Sequence, residues 1–137
     1  MEISEVQNFL ETNHRGVLVA RKRDGTPQIT LVTPCIDLEG RVTISARGNT
    51  FKVKNIRRDP DVSMLVMGEE FYKSAYYQLD GTAEVIALPD SEELLMKAYR
   101  RRLGNDLDEV ETRQKILDED RVIILITIDR VGPQSRG

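Results

Sequence analysis

The segment Arg121-Val122-Ile123-Ile124-Leu125-Ile126-Thr127-Ile128 constrains this chain more than any other. A β-strand sends alternate side chains to opposite faces. Val122, Ile124, Ile126 and Ile128 fall on one face, and Ile123 and Leu125 on the other. Both faces are apolar, so the strand needs cover on both sides. In a small β-protein this means the interior and one further surface. A partner subunit is the economical candidate for that surface.

The rest of the chain supplies strands in hairpin order. Val17 to Arg21 alternates, Asp24-Gly25 marks a tight turn, and a second strand starts at Pro27. Ile29 and Leu31 share one face, but Val32, Pro34 and Ile36 then carry the apolar phase. A period of two cannot change phase without a slip, so a β-bulge is expected near Val32-Thr33. Val42 to Ala46, Val62 to Met67 and Tyr76 to Leu88 follow as strands, the last bending at Gly81. Helices are expected after a capping box at Ser4 to Gln7, from Thr50 to about Asp59, after a second capping box at Asp90 to Glu93, and from Asp108 to Leu117. The sum is a mainly β chain with peripheral helices. Its six strands suit a small antiparallel barrel, in one domain over residues 1–137 with a loosely ordered tail at 132–137.

Several functions are excluded by simple counts. The net charge is −3, whereas non-specific nucleic-acid binding needs a basic footprint. No apolar run approaches the roughly 20 residues of a membrane span. Met1 to Leu10 carries Glu2 and Glu5 and lacks the basic and apolar regions of a signal peptide, so a cytoplasmic protein is expected. Cys35 and His14 are each the only residue of their kind, so neither a disulfide within the chain nor a zinc site is expected. Cys35 reads as a packed strand residue and His14 as a helix-end residue; no metal site and no catalytic dyad or triad stands out.

One stretch points to chemistry. Ser45 to Pro60 runs from a strand into a short helix, with Arg47, Thr50 and Lys52 converging on the helix N-terminus. Free backbone N–H groups and the positive end of the helix dipole favour an anion there. An ammonium and a guanidinium added to them make a phosphate cradle. Taken alone, Thr50 and Lys52 at a helix start are more often a cap and a solvated charge. The runs Arg57-Arg58 and Arg100-Arg101-Arg102 read as solvated helix faces.

Four segments in order carry a family resemblance: Gly16 to Ala20, Asp24 to Gln28, Thr50 to Pro60, and Asp80 to Val85. With them the chain resembles the pyridoxamine 5′-phosphate oxidase-like split-barrel superfamily over Ile3 to Val131. It is most similar to the short branch of flavin- and deazaflavin-dependent reductases. The resemblance implies a split-barrel homodimer with a cofactor, coenzyme F420 or FMN, in each cleft between subunits. It implies phosphate contacts from Arg47, Thr50 and Lys52, and ring contacts from Gln28, Thr30, Thr33 and Pro34. Residues of later strands, Tyr77 and Gln78 among them, would close the partner's cleft. In the deazaflavin branch the resemblance also offers the basic runs Arg57-Arg58 and Arg100-Arg101-Arg102 as a patch near the cleft that meets the coenzyme's polyglutamyl tail.

The implied activity is hydride transfer to or from a small organic substrate. The hard chemistry then belongs to the cofactor, which agrees with the lack of an acid–base pair. The alternatives are a cofactor-binding module or sensor without turnover, and an oxidase acting on pyridoxamine phosphate. Against the oxidase, the chain shows no counterpart of the arginine-rich C-terminal substrate segment found in the longer vitamin B6 oxidases. Thr33-Pro34-Cys35 also departs from the more polar or aromatic residues common at that place.

Overall fold

A computed structural model describes residues 2–136. The strands are β1 (Arg15–Arg21), β2 (Pro27–Val32), β3 (Cys35–Ile36), β4 (Val42–Arg47), β5 (Asp61–Met67), β6 (Ala75–Ile86) and β7 (Arg121–Arg136). The helices are α1 (Ile3–Phe9), α2 (Phe51–Arg58), α3 (Glu92–Leu103) and α4 (Glu109–Asp118). The strands form one antiparallel sheet in the order β2-β1-β5-β6-β7-β4-β3. Its two edge strands, β2 and β3, are consecutive in the chain, so the sheet curls until its edges are joined covalently through Thr33-Pro34. This is a split barrel.

The strand count is seven rather than the expected six, and the difference lies at the predicted bulge. Val32 is opposite Gly16 of β1, and Cys35 is opposite Thr43 of β4. Between them the chain leaves one partner strand and joins another. Pro34, which has no N–H to donate, sits in that gap. The change of apolar phase therefore marks a switch of partner, not an extra residue within one ladder.

The inner face is filled by Leu18, Ile44, Met64, Val66, Leu79, Ile124 and Ile126. Val6 and Leu10, from α1 and its C-cap, and Val53 and Ile56 from α2 pack against the same core. The outer face of β7 forms a second core, in which Ile123 and Leu125 pack against Leu95, Met96 and Tyr99 of α3 and Ile116 of α4. The two-faced strand thus finds both covers within one chain, which corrects the expectation that a partner subunit supplies the second. A folded α3–α4 pair delivers the apolar surface at no cost in association entropy.

Element ends differ in detail. The N-cap of α1 is Glu2, whose backbone N–H donates to Glu5 Oε1 at 3.4 Å, so the expected box at Ser4 lies inside the helix. Ser91 caps α3 without a side-chain hydrogen bond, whereas Asp108 accepts from the Glu111 N–H at 3.0 Å. Past Ile128, β7 continues to Arg136, and the tail pairs along Ala75 to Tyr77 instead of leaving the sheet. At Gly81 the register of β6 on β7 shifts. A Cβ there would stand 2.5 Å from the Thr127 carbonyl oxygen, which is why the bend needs glycine.

A polar clamp ties β5, β6 and β7 together. Asp80 accepts from the Ser63 hydroxyl at 2.6 Å and from Arg130 Nε at 2.8 Å. The Ser63 bond foremost, with Arg130 adding to it, holds the Asp80 carboxyl below its usual pKa. The unfolded chain then binds more protons in acid. The contribution is complete above the unfolded value of about 3.9 and fades as pH falls below it. Asp80→Asn is expected to lose about 1 kcal/mol at neutral pH. In urea titrations from neutral to strongly acid conditions its stability should fall less steeply than that of wild type; an unchanged slope would remove the clamp from the account.

Candidate cofactor site

The β4–α2 loop is held by the turn that enters β7. Gly48 N–H donates to the Asp120 carbonyl at 2.9 Å, and a Cβ at Gly48 would stand 2.6 Å from that oxygen. This close approach places the start of α2 beside the start of β7. Lys52, on the first turn of α2, thereby meets Arg121, the first residue of β7. Burial, with the Arg121 charge adding to it, lowers the pKa of the Lys52 ammonium. Arg121 is paired with the Glu119 carboxylate at 3.3 Å, but Lys52 has no carboxylate within ion-pair distance among the described residues, so its ammonium, set beside a guanidinium, is the group left for an anion.

Lys52 and Arg121 line a cavity of about 350 Å³ on the outer face of β4 and β7, roofed by α3. Its walls include Thr43, Ser45, Lys52, Arg121, Arg101 and Arg102, and no carboxylate among the described residues. Arg121 donates to Ser45 Oγ at 3.3 Å, and its buried Nε has no hydrogen-bond partner among the described residues. The buried hydroxyl of Tyr99, another wall residue, is likewise unpartnered. Thr33, Cys35 and His14 close the far end, where His14 Nδ1 lies 3.1 Å from the Pro34 carbonyl. Burial raises the Cys35 thiol pKa, opposed by the neighbouring Arg101. A phosphate fits this donor set: strong donors, unpaired buried N–H and O–H groups, and an uncapped helix N-terminus.

Residues 3–135 match the profile of the family described as pyridoxamine 5′-phosphate oxidase. The chain belongs to the pyridoxamine 5′-phosphate oxidase family. Solved structures of similar shape include a conserved hypothetical protein from Mycobacterium tuberculosis, at 25% identity and a TM-score of 0.75, covering 96% of this chain and 82% of that one. An F420 reductase matches at 24% identity and a TM-score of 0.70, covering 92% and 94%. The heme storage protein HutZ from Vibrio cholerae matches at 13% identity and 0.71, covering 100% and 98%.

In this member of the pyridoxamine 5′-phosphate oxidase family, the residues singled out in the sequence are not all brought together. Lys52 and Thr33 line the cavity. Arg47 is turned to Glu119, its guanidinium 3.0 Å from the carboxylate, and does not line it. Desolvation would raise the Glu119 pKa, but Arg121 and then Arg47 outweigh it and keep the carboxyl low. Thr50 donates its hydroxyl to the Arg47 carbonyl at 3.0 Å, which fixes the loop instead of capping α2. Gln28 accepts from Asn55 Nδ2 at 2.5 Å beside a separate hollow over α2. Thr30 lies opposite Leu18, and Pro34 is buried beneath His14. Tyr77 is a core residue, its ring edge-on to Phe9 at 5.1 Å. Gln78 is exposed on the outer face of β6, opposite Leu65.

Sequence reasoning missed Arg121, Ser45 and Tyr99 as cavity residues, and it read the α3 arginines first as a solvated helix face, with a basic patch near the cleft as the alternative. The phase of β7 carried the signal for Arg121, because it shares a face with Ile123 and Leu125. That face reads as a site wall only once a helix layer is known to stand over it.

Proposed function

We propose that this protein is an oxidoreductase that binds a phosphorylated flavin or deazaflavin, FMN or coenzyme F420, and passes a hydride between its ring and a small organic substrate. The observation that carries the reading is the cavity lining, without a carboxylate among the described residues, in which the unpaired Lys52 ammonium stands beside Arg121. The family and the fold shared with an F420 reductase support it. Lys52, Arg121, Ser45 and the first N–H groups of α2 would hold the phosphate. Thr33 and the His14–Pro34 pair would flank the ring, and the apolar walls Val32, Ala98 and Ile123 would exclude water from it. Once bound, the cofactor supplies the hydride chemistry; the protein supplies position and a dry setting.

The deciding experiment is a fluorescence titration of the apoprotein with FMN and with F420, side by side, observed through the ligand because the chain has no tryptophan. Tight F420 and weak FMN binding would point to a deazaflavin reductase. The reverse would point to a flavoprotein and make oxygen reactivity the next assay. If neither binds, the reading is wrong.

The working unit is proposed to be a homodimer. Val17, Val19, Ile29, Leu31 and Leu65 adjoin one another on the outer face of β2, β1 and β5. Ile29 is 66% and Leu31 83% exposed. Leu31 also lines the cavity, so a partner covering this strip would finish the cavity wall. Light scattering should give a dimer for wild type and a folded monomer for Ile29→Asp/Leu31→Asp, with cofactor affinity reduced at least about tenfold. A monomeric wild type with full affinity would overturn the shared site.

A further inference from the structure

The charged groups around the start of α2 do not all belong to the cavity wall. Arg47 and Arg121 are directly opposite each other on β4 and β7, so their side chains leave the sheet on the same face. Like charges in that position repel. Lys52 meets Arg121 as well, so three cations gather around one point. Two carboxylates stand among them, both from the turn that enters β7. Glu119 Oε2 is 3.0 Å from the Arg47 guanidinium and 3.3 Å from that of Arg121. Asp120 lies against the β4–α2 loop, where a Cβ at Gly48 would stand 2.8 Å from its Oδ2. Neither carboxylate lines the cavity; one touches a wall residue and the other the loop that carries α2.

These charges are not equally screened. The Glu119 side chain is 14% exposed, and its Oε1 is buried without a hydrogen-bond partner among the described residues. Buried charges are screened much less than exposed ones. Arg47 is 60% exposed, so water weakens its charge far more. Three cations and two carboxylates leave a single positive charge at the α2 end, and Lys52 is the cation without a carboxylate. Phosphate esters differ in the charge they bring. A monoester, as in FMN, carries about −1.5 to −2 at neutral pH, whereas a diester, the linkage in F420, carries one negative charge. Coulomb energy scales with the product of the charges, so a fixed carboxylate opposes the monoester about twice as strongly.

We infer that the acidic turn Glu119-Asp120 sets the charge of the phosphate that the site accepts, selecting a singly charged diester over a doubly charged monoester. Resting on the proposed phosphate site at Lys52, this selection favours F420 over FMN.

The test compares FMN with its phosphate methyl ester, which has the same ring and a lower charge. At about pH 8 the monoester is fully ionised, and wild type should bind the methyl ester at least about threefold more tightly. Below about pH 6 FMN takes up a proton, and the gap should close. Glu119→Gln should raise the affinity for FMN about tenfold at the higher pH and that for the ester about threefold, because the gain in free energy follows the charge of the ligand. Asp120→Asn should act in the same direction. Asp120 has a φ of 48°, a left-handed conformation that asparagine also adopts, so this variant carries the test if Glu119→Gln folds poorly. Tighter binding of FMN than of the ester by wild type at the higher pH, or equal gains for the two ligands in the variants, overturns the inference. Methyl phosphate and dimethyl phosphate, followed on the amide signal of Gly48, repeat the comparison without a ring. If neither flavin binds and these ions keep the same order and the same response to Glu119→Gln, the cofactor reading falls and the charge selection stands. If the flavins bind without that order, the cofactor reading stands and the charge selection falls.

Discussion

Ile124→Ala is expected to cost about 3–4 kcal/mol of folding stability, measured by urea unfolding. Ile124 is fully buried, opposite Ile44 of β4 and Val85 of β6, at the middle of the inner face. Its neighbours are strand residues held by ladders on both sides, so they cannot collapse into the space left by three lost carbons. A domain of this size has on the order of 7–20 kcal/mol in total, so the loss takes a large share of the margin. The variant that remains folded should bind cofactor normally, because Ile124 faces away from the cavity. Ile123→Ala makes the same chemical change one residue away with a different outcome. Ile123 lines the cavity and supports α3, so its loss should weaken both stability and cofactor binding. Equal effects of the two variants on cofactor affinity would contradict the two-sided account of β7.

Lys52→Ala is expected to weaken cofactor binding by about 1.5–3 kcal/mol, the range for a charge-assisted contact. The same residue should work against the fold when no ligand is bound. Burial and Arg121 lower its pKa in the folded state. Between that lowered value and the unfolded value of about 10.4 the unfolded chain binds more protons, so apoprotein stability rises with pH through this window. Lys52→Met should therefore melt higher than wild-type apoprotein at neutral pH and lose that alkaline gain. A saturating cofactor should reverse the order, because only the wild-type ammonium is then paired. Calorimetry of both proteins with and without ligand checks this; a Met variant that binds as tightly as wild type would remove Lys52 from the site.

The comparison of sequence with structure turns on a few residues. The hairpin at Asp24-Gly25, the helix ended by Pro60 and the apolar phase of each strand could all be read directly, because turn chemistry and side-chain alternation are local. The phase change at Val32 to Ile36 was visible as well, but its meaning was not. A bulge and a change of partner strand leave the same mark on a single strand, and only the pairing to Gly16 on one side and Thr43 on the other separates them. Lys52 was found through its place on the first turn of a helix. Arg121 was not, since it joins Lys52 across 69 residues of chain only because the loop at Gly48 docks on Asp120.

The sequence by itself determined that β7 must be covered on both faces, that the strands follow one another in the hairpin order of an antiparallel barrel, and that cationic side chains gather at the start of α2. These follow from periodicity, glycine and proline placement, and charge near a helix end, which are properties of short segments. Only the tertiary structure decided what covers β7, which arginine stands against Lys52, and that Arg47 is taken by Glu119 while Arg101 and Arg102 are left facing the cavity. Each of these depends on which distant surfaces meet, and several segments of similar composition could have met there. Apolar burial and ion pairing select one arrangement from the whole chain at once, so no single segment records the result.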